Sequence, residues 1–386
     1  MYSSPRHAEG ERSAETLMLG KLIDRAVKKP WSAEEIRKYV GVTHEAFLTH
    51  ASNEQLREKS ASGGSTTAIL CALLETGHID GAVVCRTEVV DSRVRARMIV
   101  ATSLDEIRSA QGSKYVETPF LKEALPLIRE FRGRLAVTAL PCDVSALRRH
   151  MQRDEAMAEK VRLIIGVICG HNSRKELIDA TVRRIEAQTG SPVRDYRFRV
   201  GHWRGRLEAE CADGQQFTRP SSYFTDDQNL FFYCQKKCMA CEDHFGYEAD
   251  LSVGDVWLYR LRDDPIKHTA IITRNEAGDR AIRVAREHGA IITEPLAVED
   301  ILDGQSRIAP FHYNVSARVK VGRLLGIKLK DNVNEPVRWH SWLAALITMS
   351  NMKFSQSERR AKWVFRVPRP LLKFYLYVLK GLETLR

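Results

Sequence analysis

The 386-residue chain contains no run of eighteen apolar residues, so no ordinary membrane-spanning helix is expected. The first twenty residues are polar and mixed in charge. They lack the basic start and apolar stretch of a secretory signal, and a cytoplasmic protein is expected. Eight cysteines in a reducing compartment argue against structural disulfides and for metal binding, catalysis or plain burial. Zinc-finger spacing, an RNA-recognition signature and a basic helix with heptads are all missing, so no nucleic-acid partner is expected. No internal repeat or low-complexity segment occurs, and neither GxGxxG nor GxxxxGK[ST] is found in the first fifty residues.

What is present is an ordinary globular composition, with 44% hydrophobic and 28% charged residues. The net charge of +11 is unevenly spread. Nine Lys and Arg against two Glu give Lys353–Arg386 a net +7. This tail ends in Leu371, Leu372, Phe374, Tyr375, Leu376, Tyr377, Val378 and Leu379. Two readings follow. The tail is a helix docked on the protein's own core, or it lies on an anionic membrane surface. On the second, deleting Lys353–Arg386 should abolish vesicle binding and spare any chromophore.

Three regions are expected: a polar, helix-prone leader (1–54), a core (55–310) and a basic helical extension (311–386). Ser32 and Glu35 form a capping box at a helix start, as do Ser103 and Glu106. Apolar segments at 81–85, 95–101, 135–140 and 161–168 read as strands. Helical patterns at 66–76, 120–131, 141 onward and 175–188 alternate with them. A hairpin over 193–211 and strands near 249–253, 270–273 and 290–293 follow, with a helix at 277–288. The expected fold is α/β, with a mixed, partly parallel sheet and flanking helices.

Cys142 follows a strand, Cys169 ends the next, and Cys238 with Cys241 forms a CxxC. Strand C-termini at one edge of an α/β sheet face a common crevice, and a CxxC loop there completes a four-thiolate set. Such a set suits a [4Fe–4S] cluster or a structural zinc. Two other readings stay open: Cys142 and Cys169 as small buried hydrophobes, or a redox dithiol at Cys238 and Cys241 beside its lysines. Cys71, Cys85 and Cys211 read as core, and Cys234 as a substitute ligand.

Three loops suit an anionic ligand. Ser62-Gly63-Gly64-Ser65 opens a helix, whose N-terminus attracts phosphate or simply carries an ordinary cap. Ser113-Lys114-Tyr115 offers a hydroxyl, a cation and an aromatic plane. Gly254-Asp255 ends a strand in a carboxylate that serves a ligand or a turn. His171, beyond the Cys169-Gly170 turn, is a proton donor or a structural histidine.

Together these motifs resemble the coenzyme F420 hydrogenase/dehydrogenase beta subunit family. The resemblance rests on Ser62-Gly63-Gly64, Asp80-Gly81-Ala82-Val83-Val84, Gly112-Ser113-Lys114-Tyr115, Pro141-Cys142 and Cys169-Gly170-His171. It is most specific from Cys238-Met239-Ala240-Cys241 to Ala249–Trp257, and it spans roughly 55–310. It implies a flavin (FAD or FMN) and a [4Fe–4S] cluster. Electrons would pass between them and either coenzyme F420 or ferredoxin, to reduce a small organic substrate. By resemblance, Cys142, Cys169, Cys238 and Cys241 are cluster ligands. Ser62, Gly63, Gly64, Ser65, Ser113, Lys114 and Tyr115 line the flavin site, and Gly254 and Asp255 close it. His171 or Lys114 would supply a proton to the product. The chain departs from the family in having no ferredoxin-like CxxCxxC. It also has Ala139-Leu140-Pro141-Cys142 for Gly-Thr-Pro-Cys, and Cys169-Gly170-His171 for Cys-His-Gly. The alternative implied is a zinc-stabilised or cluster-free relative in cell-surface polysaccharide assembly.

Overall fold

The computed structural model describes residues 31–385. Most of the expected leader therefore lies outside the described residues. Its end does not: Ser32 accepts from the Glu35 amide in a complete capping box, and the following strand belongs to the main sheet.

Eight strands build that sheet. They are β1 (Ala46–Ala51), β2 (Gly81–Val90), β3 (Arg93–Ala101), β4 (Leu135–Ala139), β5 (Val161–Val167), β9 (Leu251–Asp255), β10 (Thr269–Thr273) and β11 (Ile291–Pro295). The remaining three, β6 (Val193–Val200), β7 (Arg206–Cys211) and β8 (Gln216–Pro220), form a separate antiparallel sheet. The order in the large sheet is β11-β1-β10-β9-β5-β4-β2-β3. β2, β4, β5 and β9 run parallel at its centre. β3 on one side, and β10, β1 and β11 on the other, are antiparallel. The mixed α/β expectation holds.

The central strands are apolar on both faces because both are covered. Ala82, Val84 and Ala136 meet helices Ser65–Glu75 and Glu276–Glu287 on one side. Val83, Leu135 and Val137 meet helices Phe120–Glu130 and Pro141–Met151 on the other. The C-terminal ends of β4, β5 and β9 lead into Cys142, Cys169 and Asp255 in turn, which is where ligands bind in open α/β sheets.

Residues 46–51 fall in the expected helix-prone leader but form β1. The strand pairs with Thr269–Ile272 and Ile291–Pro295. Six residues between polar flanks give little local signal, and these partners lie more than two hundred positions away.

The C-terminal extension docks on the core. Helix Trp339–Phe354 places Ala344, Ala345, Met349 and Met352 in the cluster that holds Phe224 and Phe231. Helix Arg369–Thr384 lies antiparallel on it and buries Leu372 and Leu379. Tyr375 Oη donates to Asn351 Oδ1 (3.2 Å), and His340 Nδ1 lies 3.2 Å from the Leu382 carbonyl.

Arg369 anchors the helix start through Asp227 (3.1 Å) and the Tyr223 carbonyl (3.0 Å). Burial pushes the Asp227 carboxyl up to about 6, against the pull of Arg369. The folded chain therefore binds this proton more tightly than the unfolded chain does. Stability is expected to fall as pH rises from about 4 to about 6. Urea midpoints across that window should show this slope, and Asp227→Asn should remove it.

Candidate functional site

Two features meet at the strand ends: a cysteine centre and an adjoining cleft. Cys142 stands in the first turn of the helix after β4, with Pro141 at its first position. Cys169 follows β5. Its amide donates to the His244 carbonyl (3.0 Å), and its carbonyl lies 2.9 Å from His244 Nδ1. Cys238 lies in the 3-10 turn Lys236–Ala240, with Cys241 just beyond.

This turn is pinned from three sides. The Asn172 amide donates to Cys238 Sγ (3.4 Å). Buried Arg318 donates to the Met239 carbonyl (2.7 Å) and the Cys241 carbonyl (3.5 Å). His312 bridges the two loops, with Nε2 2.7 Å from the Gly170 carbonyl and Nδ1 3.2 Å from that of Cys241. Lys237 pairs with Asp143 at 3.5 Å.

The four thiols act on one another. Burial pushes Cys169 far up, and Cys238, Cys142 and Cys241 add to the shift. Burial raises Cys142 to about 12, with Asp143 next in effect. Cys241 also rises to about 12, through burial and then Cys142 and Cys238. Cys238 alone is lowered, chiefly by a hydrogen bond from the Cys234 thiol. The structure thus brings Cys142, Cys169, Cys238 and Cys241 into one electrostatic unit, with Cys234 as a buried fifth neighbour. Among the described residues, no three His, Cys, Asp or Glu side chains stand close enough to hold a single metal ion. Cys71 is buried in a separate core cluster, and Cys211 is buried on β7 with its thiol 3.5 Å from Thr189 Oγ1.

The cleft is shallow and half-open, with a cavity volume of about 30 Å³, and is lined by Ser62, Arg199, Trp257, Asp255, Lys267 and His268, among others. Arg199 organises it. The guanidinium grips both oxygens of Asp255 at 2.5 Å, donates to the Ala61 carbonyl (3.1 Å) and faces the Trp257 ring at 5.1 Å. Burial pulls its pKa down, but Asp255 and Tyr115 outweigh that and keep it charged. Trp203 packs edge-on against Trp257. Burial, reinforced by Arg199, pulls Lys267 down to about 8. His268 carries a buried Nδ1 with no partner.

The cleft and the cysteine centre are joined by hydrogen bonds. Gln305 Nε2 donates to the Asp255 carbonyl (2.6 Å), and Gln305 Oε1 meets His244 Nε2 (3.2 Å). His244 then reaches Cys169.

The other expected cofactor residues are placed unevenly. Ser62 lines the cleft, with its hydroxyl donating to the His268 carbonyl (2.5 Å). Gly63 turns inward, where a Cβ would come within 2.7 Å of the Thr49 carbonyl. Gly64 adopts φ +79°, and Ser65 bonds Thr49 in the interior (2.7 Å). Gly254 is a β9 ladder residue opposite Ala270. Tyr115 reaches Arg199 and packs on Phe198. Ser113 is half-buried in the same loop. Lys114 donates to the carbonyls of Gln111 (3.1 Å) and Gly112 (2.8 Å), and burial lowers it to about 8.

His171 stacks on Phe231 at 4.4 Å and meets the Gln228 carbonyl at 2.9 Å. Burial, then Lys380, pulls it to about 4 and keeps it neutral. Neither His171 nor Lys114 lines the cleft. Sequence reading missed Arg199, Lys267, His244, Gln305, His312 and Arg318. Only Arg199 left a trace, as a charge between the strand residues Phe198 and Val200.

The chain is similar to known proteins over most of its length. Residues 46–123 match the N-terminal part of the coenzyme F420 hydrogenase/dehydrogenase beta subunit, and residues 132–299 match its C-terminal part. The chain belongs to this family, and relatives named as hydrogenase and dehydrogenase subunits support an oxidoreductase. It is 23% identical over 269 residues to the coenzyme F420 hydrogenase subunit beta of Methanothermobacter thermautotrophicus, covering 69% of this chain and 88% of that one. It is 28% identical over 238 residues to a subunit of the F(420)H(2) dehydrogenase of Methanosarcina mazei, covering 61% of this chain and 62% of that protein. Its fold matches a chain in the F420-reducing [NiFe] hydrogenase complex of Methanosarcina barkeri. The TM-score is 0.58 at 21% identity, over 76% of this chain and 98% of that chain.

Proposed function

We propose that the chain is an iron–sulfur flavoprotein reductase that moves electrons between an external carrier and a small organic substrate. The observation that carries this reading is the joining of four mutually interacting thiols to a cation-lined cleft through His244 and Gln305. Cys142, Cys169, Cys238 and Cys241 would hold a [4Fe–4S] cluster. Ser62, Arg199, Asp255 and Trp257 would contact a flavin, FAD or FMN, at the open mouth of the cleft, whose own cavity is too small to enclose one. A bound cluster stores single electrons and a bound flavin transfers hydride.

The chain's own residues then have defined tasks. Arg199 and Asp255 fix one wall of the cleft, with Trp257 presenting a flat face beside them. Lys267 and His268 offer an anionic group a cation and an unpartnered ring nitrogen. Lys267, at about 8, is also the best-placed proton source on the lining. Coenzyme F420 or a ferredoxin is the proposed carrier, after the names of the relatives and the resemblance.

Anaerobic purification with iron, sulfide, zinc and flavin counts tests the reading. About four iron and four sulfide per chain with a flavin support it. Zinc or no metal, without flavin, overturns it in favour of a scaffold role in polysaccharide assembly. Arg199→Gln is expected to lower flavin content at least tenfold while iron stays unchanged, because the substitution lies in the cleft. Equal loss of both would assign Arg199 to folding alone.

A further inference from the structure

Helix Arg369–Thr384 has two apolar faces, and only one is used. Leu372 and Leu379 are 3% and 0% exposed against the core. Leu371, Phe374 and Val378 form a second stripe at spacings of three and four, flanked by Tyr377. All four are exposed, with Phe374 at 67% and Tyr377 at 64%. Trp339, next to the His340 that meets this helix's C-terminal end, is 68% exposed. Trp363, just before the helix, is 60% exposed. A core-docked helix needs one apolar stripe, so the second has a use outside this chain.

The surrounding charge identifies that use. Arg359, Arg360, Arg366 and Lys373 are exposed, and the Arg366 guanidinium lies over the Trp363 ring at 4.8 Å. Among the described side chains of the tail, the sole carboxylate is Glu383, which is buried and paired with Lys380 at 2.7 Å. Exposed aromatics, an aliphatic stripe and a net positive charge match the interface of a bilayer that carries negative headgroups. No described helix is long and apolar enough to cross a membrane.

We propose that the face bearing Leu371, Phe374, Tyr377 and Val378 seats the enzyme on an anionic lipid surface, while the opposite face holds the helix to the core. The tail serves both readings of its sequence at once. Binding would orient the whole molecule, because the helix is part of the folded body rather than a tether.

The test is co-sedimentation of the full chain with vesicles of phosphatidylcholine alone and of phosphatidylcholine with phosphatidylglycerol. Binding to the anionic vesicles is expected, at least tenfold above the neutral ones and weakened by salt. The variant Arg366→Glu/Lys373→Glu should lower it more than tenfold. The variant Leu371→Gln/Phe374→Gln/Val378→Gln should abolish it. All these side chains are exposed, so both variants should keep the parent's melting temperature, which shows that they fold. Equal binding to both vesicle types, no binding, or a dimer that the stripe variant dissociates would each overturn the proposal. The assay uses no cofactor, so its outcome is independent of the iron and flavin counts.

Discussion

Cys169→Ser is expected to reduce iron from about four per chain to below one and to remove the broad visible absorption of the cluster, with the fold intact. The effect is large because Cys169 is one of the four proposed ligands and stands just past the end of β5, where its backbone is held on both sides by His244. Iron analysis and circular dichroism on the anaerobically purified variant check it. Cys71→Ser is the control, since Cys71 lies in a separate core cluster on helix Ser65–Glu75; iron there should be unchanged. Cys234→Ser should keep most iron, because Cys234 acts on the set chiefly through its hydrogen bond with Cys238 and only weakly on Cys169. Flavin should stay with the Cys169 variant, since Arg199 and Asp255 hold the cleft independently. Full iron in Cys169→Ser would move the ligand role to Cys234 and break the proposed set.

Removing residues 369–386 is expected to lower the melting temperature by about 10 °C or more, or to leave the chain insoluble. Truncating one buried leucine typically costs about 2–5 kcal/mol, and this cut removes both Leu372 and Leu379. It strips the partner of Asp227, and it strips Glu383, the carboxylate that offsets the burial of Arg318. Arg318 in turn braces the Met239 and Cys241 carbonyls beside the proposed ligands. Total stability of a domain is about 5–15 kcal/mol, so the loss consumes much of it. Deletion is therefore not the silent experiment that a loose basic tail would allow, and surface substitutions are the appropriate probe of lipid binding. A truncated chain that melts with the parent would show the docked face to be dispensable.

Much of the local structure was readable in the residues. The capping boxes at Ser32 and Ser103 form as their spacing requires. The segments 81–84, 135–139 and 161–167 are strands because runs apolar on both faces suit a covered parallel sheet. The Pro141 helix start and the hairpin from Val193 follow the same logic. What pairs with what was not readable. β1 looked like the end of a leader because its partners, β10 and β11, are remote in sequence. The Ser62–Ser65 loop looked like one ligand cradle, yet Gly63 and Ser65 face Thr49 and only Ser62 reaches the cleft.

By itself, then, the sequence determined the class of fold, singled out the four cysteines as candidate ligands and left two alternative uses for the tail. Periodicity and residue chemistry report burial and donor type wherever they occur. The tertiary structure alone decided that Arg199, from the second sheet, would clasp Asp255 at the end of β9. It alone decided that His244 and Gln305 would connect the cleft to Cys169, and which stripe of the last helix would be spent on the core. These are choices of partner between distant segments. Partner choice depends on how the whole chain shares out its buried surface and hydrogen bonds, which no local pattern encodes.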